Sequence, residues 1–283
     1  MGASRRRAWL RQLPAGGHFL EPHLGFLRPR AGWASSRMGA IFLMGIKELL
    51  TSEGRLKFRI QRSTKTLLHR YAQHEARMEA ADKLRDIGTP EAIYSLARRF
   101  SATSENLGTD QEEKKAIQGV LVGFADDAVE PLERYIKNYD KITWAIDALK
   151  RLVATDKLIP FLLEVLNEGD PVHIRGEKAT QIVSALERLN QPGIVAGVIP
   201  CLKSADDTVR FAAVECLEAY ADESAREPLL ETLVNPDEDS ARVKIRIGEA
   251  LVKLEWEVKG YRKKVESALP DSFRVTSKGR ITR

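Results

Sequence analysis

The stretch Asp206-Asp207-Thr208-Val209-Arg210-Phe211-Ala212-Ala213-Val214-Glu215-Cys216-Leu217 decides the fold reading. Two short carboxylates stand before a run whose apolar residues recur at Phe211, Val214, Cys216, Leu217 and Tyr220. That spacing is one face of an amphipathic helix. A carboxylate at its start accepts from N–H groups that have no intrahelical partner and meets the positive end of the helix dipole. Arg210 falls inside the first turn. Cys216 faces the apolar side, as does Cys201 on the preceding segment. Free cysteine is among the most buried residue types, so both are expected in the core. Neither has a neighbouring base or positive field that would activate a thiol.

Outward from this stretch the pattern repeats. A small-Leu-x-x-apolar signature recurs at Leu84 with Ile87, Leu121 with Phe124, Leu149 with Leu152, Leu186 with Leu189, Leu217 with Tyr220, and Leu251 with Leu254. Successive spacings are 37, 28, 37, 31 and 34 residues, a mean of about 33. Pro131, Pro160, Pro200 and Pro228 follow four of these pairs, each before an apolar run, and mark the first turn of a second helix. Each unit therefore reads as helix–turn–helix, and no strand-like alternation appears between residues 46 and 270. Thr109-Asp110-Gln111-Glu112 has the form of a capping box and is expected to open the first helix of the second unit, after the polar insertion 101–108.

The Asp, the Val209-Arg210 step, and the Ala and Leu at helical spacing resemble the HEAT repeats of the bacterial phycobilisome-lyase HEAT-like family, an Armadillo-type fold. Asp239-Ser240-Ala241-Arg242 and Asp170…Arg175 are looser copies, and the resemblance covers about residues 74–269. Tetratricopeptide repeats have a similar period, but their proline closes the second helix. The resemblance implies an all-α, right-handed α-solenoid of about six HEAT-like helical hairpins. It also implies a ladder in which Arg210 reaches an Asp of its own or the neighbouring unit. Asp170, Arg175, Asp206, Asp207, Arg210, Asp239 and Arg242 are its expected members.

The 283 residues carry a net charge of +5 and a pI near 9.1, but the charge is unevenly distributed. Residues 1–37 hold seven arginines against Glu21, and residues 272–283 hold four bases and no acid. Residues 71–271 are left with 27 bases against 37 acids, a net of −10. A body of that sign repels a phosphate backbone, so nucleic acid is not the expected partner. Residues 1–43 read as a disordered basic leader, and the same features fit translation starting at Met38 or Met44. Its apolar residues are interrupted by Arg11, His18, Glu21 and His23, so a secretory signal is not expected there. Ala40–Ile46 is too short to span a bilayer, and the chain is expected in the cytoplasm. Residues 44–73 form an expected N-terminal capping helix, 74–270 the HEAT-like repeats and 271–283 a basic tail. Alternation at Phe273, Val275 and Ile281 suggests that the tail forms a small hairpin or docked strand.

No catalytic constellation emerges. Only His74-Glu75, of five histidines, forms the His-Glu pair that HEAT-like di-iron hydroxylases repeat four times, so no metal site is expected. Gly-rich phosphate loops, CxxC pairs and GxSxG elbows are absent, and no cofactor is expected. The favoured function is a non-enzymatic protein–protein interaction scaffold whose concave face holds a partner with a basic or extended segment. Helix phase alone names Glu133, Lys137, Glu164 and Glu231 as outward contacts on that face. The alternative is a phycobilin-lyase-like small-molecule-binding or modifying enzyme, its groove lined by Trp144, Trp256, Tyr94, Tyr135, Tyr139 and Tyr220. A further basic run, Arg55, Lys57, Arg59, Arg62, Lys65 and Arg70, has no acid within it and falls outside the repeats.

Overall fold

A computed structural model describes residues 51–168, 176–191 and 193–283. The chain divides into two compact units, Met1–Gly54 and Arg55–Arg283. Of the first unit only residues 51–54 are described. The leader 1–43, the opening of the 44–73 element, and Asp170 and Arg175 of the expected ladder lie outside the described residues.

The described residues are mostly helical. After α1 (Ser52–Leu67) come α2 (His74–Ile87), α3 (Pro90–Ala97), α4 (Leu107–Gly123), α5 (Val129–Asn138), α6 (Thr143–Leu152) and α7 (Thr155–Asn167). Then follow α8 (Gly176–Glu187), α9 (Ile194–Val198), α10 (Asp207–Tyr220), α11 (Arg226–Val234), α12 (Ala241–Lys253) and α13 (Arg262–Ala268). No helix among the described residues is long and apolar enough to cross a membrane.

Packing follows chain order. Helices α2, α4, α6, α8, α10 and α12 each pack on the next in that series. Helix α3 lies against both α2 and α4, and α7 against both α6 and α8, while α5, α9 and α11 pack on the following α6, α10 and α12. The six repeated leucines, Leu84, Leu121, Leu149, Leu186, Leu217 and Leu251, are all fully buried in one continuous core. Burying one such side chain stabilises by about 2 kcal/mol, a gain available only where the adjoining helices are in place.

Local signals set the helix ends. Gly88 takes a left-handed φ of 63° to stop α2, and the Thr89 hydroxyl then accepts from the Ala92 N–H with Pro90 at the first turn of α3. Asp206 caps α10 by accepting from the Thr208 N–H at 2.8 Å. The expected capping box is displaced. Asn106 caps α4 through the Thr109 N–H at 3.2 Å, so the helix begins two residues before Thr109. Asp110 has left the surface for a buried ion cluster. The prolines also diverge. Pro131 and Pro228 lie in the first turns of α5 and α11, whereas Pro160 lies mid-helix in α7 and Pro200 in the 3₁₀ segment Ile199–Lys203. Pro160 is exposed, so the carbonyl that loses its donor can bond to water.

Side chains from one helical pair also complete the helix ends of the preceding one. Gln181 of α8 accepts from the Ile142 and Thr143 N–H groups, both at 2.9 Å, and donates to the Asp140 carbonyl at 2.8 Å. It supplies the cap that α6 lacks from its own sequence. The Tyr220 hydroxyl of α10 donates to the Leu186 carbonyl at the end of α8, 2.8 Å away.

At the C-terminus, Arg274–Val275 and Ile281–Thr282 form a two-stranded antiparallel hairpin pairing Arg274 with Thr282 and Val275 with Ile281. Phe273 and Ile281 are buried, and the Phe273 ring lies over Gly248 of α12, where a Cβ would meet it at 3.0–3.2 Å.

Candidate interaction surface

Two patches hold the outward residues named from helix phase. On the first, Lys137 of α5 reaches Glu164 of α7 with Nζ 2.7 Å from Oε1, and its ammonium lies 5.7 Å from the Phe161 ring centroid. Glu133 lies one turn before Lys137. Burial pushes its carboxyl up from the ordinary value, the Lys137 charge opposes that, and Glu130 and Glu164 reinforce it. Glu133, Val129, Phe161 and Lys157 border a groove of about 370 Å³ between α5, α6 and α7. Glu133, Lys137 and Glu164 therefore share one patch, and Glu231 belongs to another.

Glu231 borders a groove of about 830 Å³ walled by the Ile199–Lys203 segment, α11, the loop 235–239 and the start of α13. Glu231, Asp237 and Asp239 are exposed, and Lys203 and Lys264 stand at the same groove. Tyr261, the residue just before α13, enters the groove with its hydroxyl 3.2 Å from Glu227 Oε1.

Arg210 forms the wall behind this groove. Its Nε and Nη2 donate to the two oxygens of Glu238 at 2.7 and 2.8 Å, and Nη1 donates to the Ser204 and Ala205 carbonyls at 2.7 and 3.1 Å. The bond to Glu238 raises the guanidinium further, against a smaller lowering by burial. Its closest carboxylate is thus a glutamate of the next helical pair, whereas Asp239 approaches only to 3.8 Å and is almost fully exposed. Asp207 accepts from the Ser240 hydroxyl at 2.9 Å and lies 3.5 Å from Arg242, whose guanidinium covers the Phe211 ring at 4.7 Å.

The same geometry recurs at Arg77, outside the ladder expected from the repeats. Arg77 of α2 donates through Nη1 to the Ala72 carbonyl, five residues back, as Arg210 does to Ala205. It also reaches forward into the next pair, with Nη2 2.6 Å from Glu113 Oε1. Glu113 additionally accepts from Arg99 at 2.9 Å and lies 2.8 Å from His74 Nδ1. Asp110 bonds Arg99 at 2.6 Å, the Ser104 N–H at 2.8 Å and Lys114 at 2.6 Å. Arg77, Arg99, Asp110, Glu113 and Lys114 are all buried. Burial alone would raise the Glu113 carboxyl, but hydrogen bonds from Arg77, His74 and Arg99 hold it at about 2. Asp110 is held at about 2 by Lys114, Arg99 and the Ser104 N–H, again against burial. One signal was available: the polar insertion 101–108 supplies Ser104 to this cluster.

Lys114 also borders a third groove of about 720 Å³, at the N-terminal ends of α6, α8 and α10, with Trp144, Lys141, Glu177 and Asp206. Here Gly176 is a steric requirement, because a Cβ would stand 1.7 Å from Asp206 Oδ2. The other aromatics pack against the core: Tyr135 is fully buried and stacks on Tyr139 at 4.6 Å, and Phe100 stacks on Trp144 at 6.3 Å. Burial raises the Cys201 and Cys216 thiols to about 11 and about 12. Among the described residues no group of three or more His, Cys, Asp and Glu side chains is placed to hold a metal.

No match is found among curated proteins or among solved structures. Residues 176–251, helices α8 to α12 up to Leu251, match the family model for HEAT repeats, which supports reading this chain as a HEAT-repeat protein.

Proposed function

We propose that the chain is a non-enzymatic protein-binding scaffold of the kind HEAT repeats generally form, and that its helical pairs, α2–α3 through α12–α13, stack as a right-handed α-solenoid. On this reading α1 caps the N-terminal end and the C-terminal hairpin the other. The binding face is that of the second helices, where Glu133, Lys137 and Glu164 form one contact patch and Glu231 a second. The Arg210–Glu238 bond and the Asp206, Asp207, Asp239 and Arg242 contacts serve as structural links behind that face.

The observation that carries the proposal is the Glu231 groove. Its carboxylates Glu231 and Asp237 form no ion pair among the described residues, so their charge is available to a ligand. An extended peptide bearing lysine or arginine beside an apolar side chain is the complementary partner: its cations meet Glu231, Asp237 and Asp239, and its apolar group meets the aromatic edge of Tyr261. The groove is open and mixed in polarity, which suits a chain segment better than an enclosed small molecule.

The test is fluorescence anisotropy of the purified chain against a panel of extended peptides matched in length and differing in charge. Basic peptides should bind more tightly than acidic ones, and Glu231→Lys with Asp237→Lys should abolish that preference. Equal affinity for both charge classes, or a preference unmoved by the double substitution, would refute the assignment.

A further inference from the structure

Helix α1 presents an outward face that the repeats do not use. Leu56, Ile60, Ser63, Thr64 and Leu67 fall on one side and are buried or half-buried. The opposite side carries Arg55, Phe58, Arg62 and Lys65, which share a stripe at i, i+3, i+7 and i+10. All four are exposed, and Phe58 keeps 51 % of its surface in water at the centre of the stripe. Lys57 and Arg59 flank it. None of these cations forms an ion pair among the described residues, and the only acid of the helix is Glu53 in its first turn. Just past the helix the pattern continues with Tyr71, 67 % exposed, under the Arg70 guanidinium at 5.7 Å.

An exposed phenylalanine inside a cluster of unpaired cations combines two attractions that one kind of partner satisfies together. A bilayer surface carrying anionic headgroups draws the cations and receives the ring at the headgroup–acyl boundary. The shape of the face separates this partner from others. Single-stranded nucleic acid is held in a groove that tracks its backbone, and protein anchors enter pockets. No residue of α1 lines any of the grooves described above. A face that lines none of these grooves and leaves a ring half exposed among cations fits a flat surface instead. We propose that the Arg55–Phe58–Arg62–Lys65 face of α1 docks the protein peripherally on anionic phospholipid membranes, with Phe58 inserted and Tyr71 at the headgroup level.

Flotation of the full-length chain with vesicles tests this. Vesicles of equal parts phosphatidylserine and phosphatidylcholine should carry the protein, pure phosphatidylcholine vesicles should not, and added salt should release it. Phe58→Ala should weaken binding roughly tenfold. Each of Arg62→Gln and Lys65→Gln should weaken it about fivefold. The arginines of residues 1–37 remain in every variant, so any drop belongs to α1. Because the altered side chains are exposed, the helical circular dichroism should match that of the parent. A Phe58→Trp chain gives an independent readout: its emission should shift to the blue with anionic vesicles and be quenched by a lipid-borne quencher. Binding to both vesicle types alike, binding indifferent to all three substitutions, or a tryptophan unmoved by anionic vesicles would overturn the proposal. So would an RNA oligonucleotide that binds α1 more tightly than the vesicles do, because the face would then belong to nucleic acid.

Discussion

Replacing Glu113 with glutamine removes one charge from a buried ion cluster. In the parent chain three cations, Arg77, Arg99 and Lys114, face only two carboxylates, those of Asp110 and Glu113. The glutamine is nearly isosteric, so packing is retained. One of its two ends becomes a donor, however, and must face either Arg77 or Arg99, both of which only donate. Breaking a buried pair in this way costs about 3–5 kcal/mol. For a domain of this size each kcal/mol moves the midpoint by roughly 2–4 °C, so melting should fall by roughly 6–20 °C.

A second signature is specific to the carboxylate. The Glu113 and Asp110 carboxyls are held at about 2 in the folded chain, below the ordinary range near 4 of an unfolded one. Their stabilisation is therefore complete above that range and is lost as pH falls from about 5 toward 2. Melting followed by circular dichroism across that interval should show a steep acid limb in the parent and a shallower one in Glu113→Gln. Helical arrays can open locally, so hydrogen exchange over α2 and α4 should be measured alongside. A midpoint within about 1 °C of the parent, together with superimposable acid limbs, would refute the reasoning.

Three further outcomes follow from single contacts. Gly176→Ala should displace the Asp206 carboxylate and with it the α10 cap, lowering stability by about 1–2 kcal/mol in a denaturant titration. Gln181→Ala should leave the Ile142 and Thr143 N–H groups without their acceptor, so exchange over 140–146 should speed up while stability falls by about 1–3 kcal/mol. With thiols raised to about 11 and about 12, Cys201 and Cys216 should resist an aromatic disulfide reagent at neutral pH until denaturant opens the chain. Rapid labelling of the folded protein would contradict the burial assigned to them.

The repeat spacing was legible because it is written locally. Each recurring leucine is one member of an apolar set three or four residues apart, and a helix turns those intervals into a face without reference to anything distant. The ion cluster was not legible for the complementary reason. Glu112-Glu113-Lys114-Lys115 reads as a solvated charge run, and nothing nearby tells the exposed Glu112 from the buried Glu113. The distinction comes from Arg99 and Arg77, 14 and 36 residues earlier, which arrive only when α2, α3 and α4 are packed. The α4 cap was missed because Asn106 and Thr109 are both residue types that cap helices, and the structure uses Asn106. Among the outward residues named from helix phase, Lys137 and Glu164 are exposed and Glu133 is half-buried. Helix phase carried no information about the distance between α5 and α7 that pairs Lys137 with Glu164.

The arginine links have a direction. Arg77 and Arg210 each hold the carbonyl at their own helix entrance with one arm and an acid of the following pair with the other. Severing such a junction therefore harms its two sides unequally. The upstream fragment keeps a largely buried guanidinium that has lost its carboxylate and retains only the carbonyls at its helix entrance, while the downstream fragment keeps an acid that can hydrate or take up a proton. Trimming from the front should thus be gentler than trimming from the back, and modules transplanted between arrays should travel with the acid that follows them.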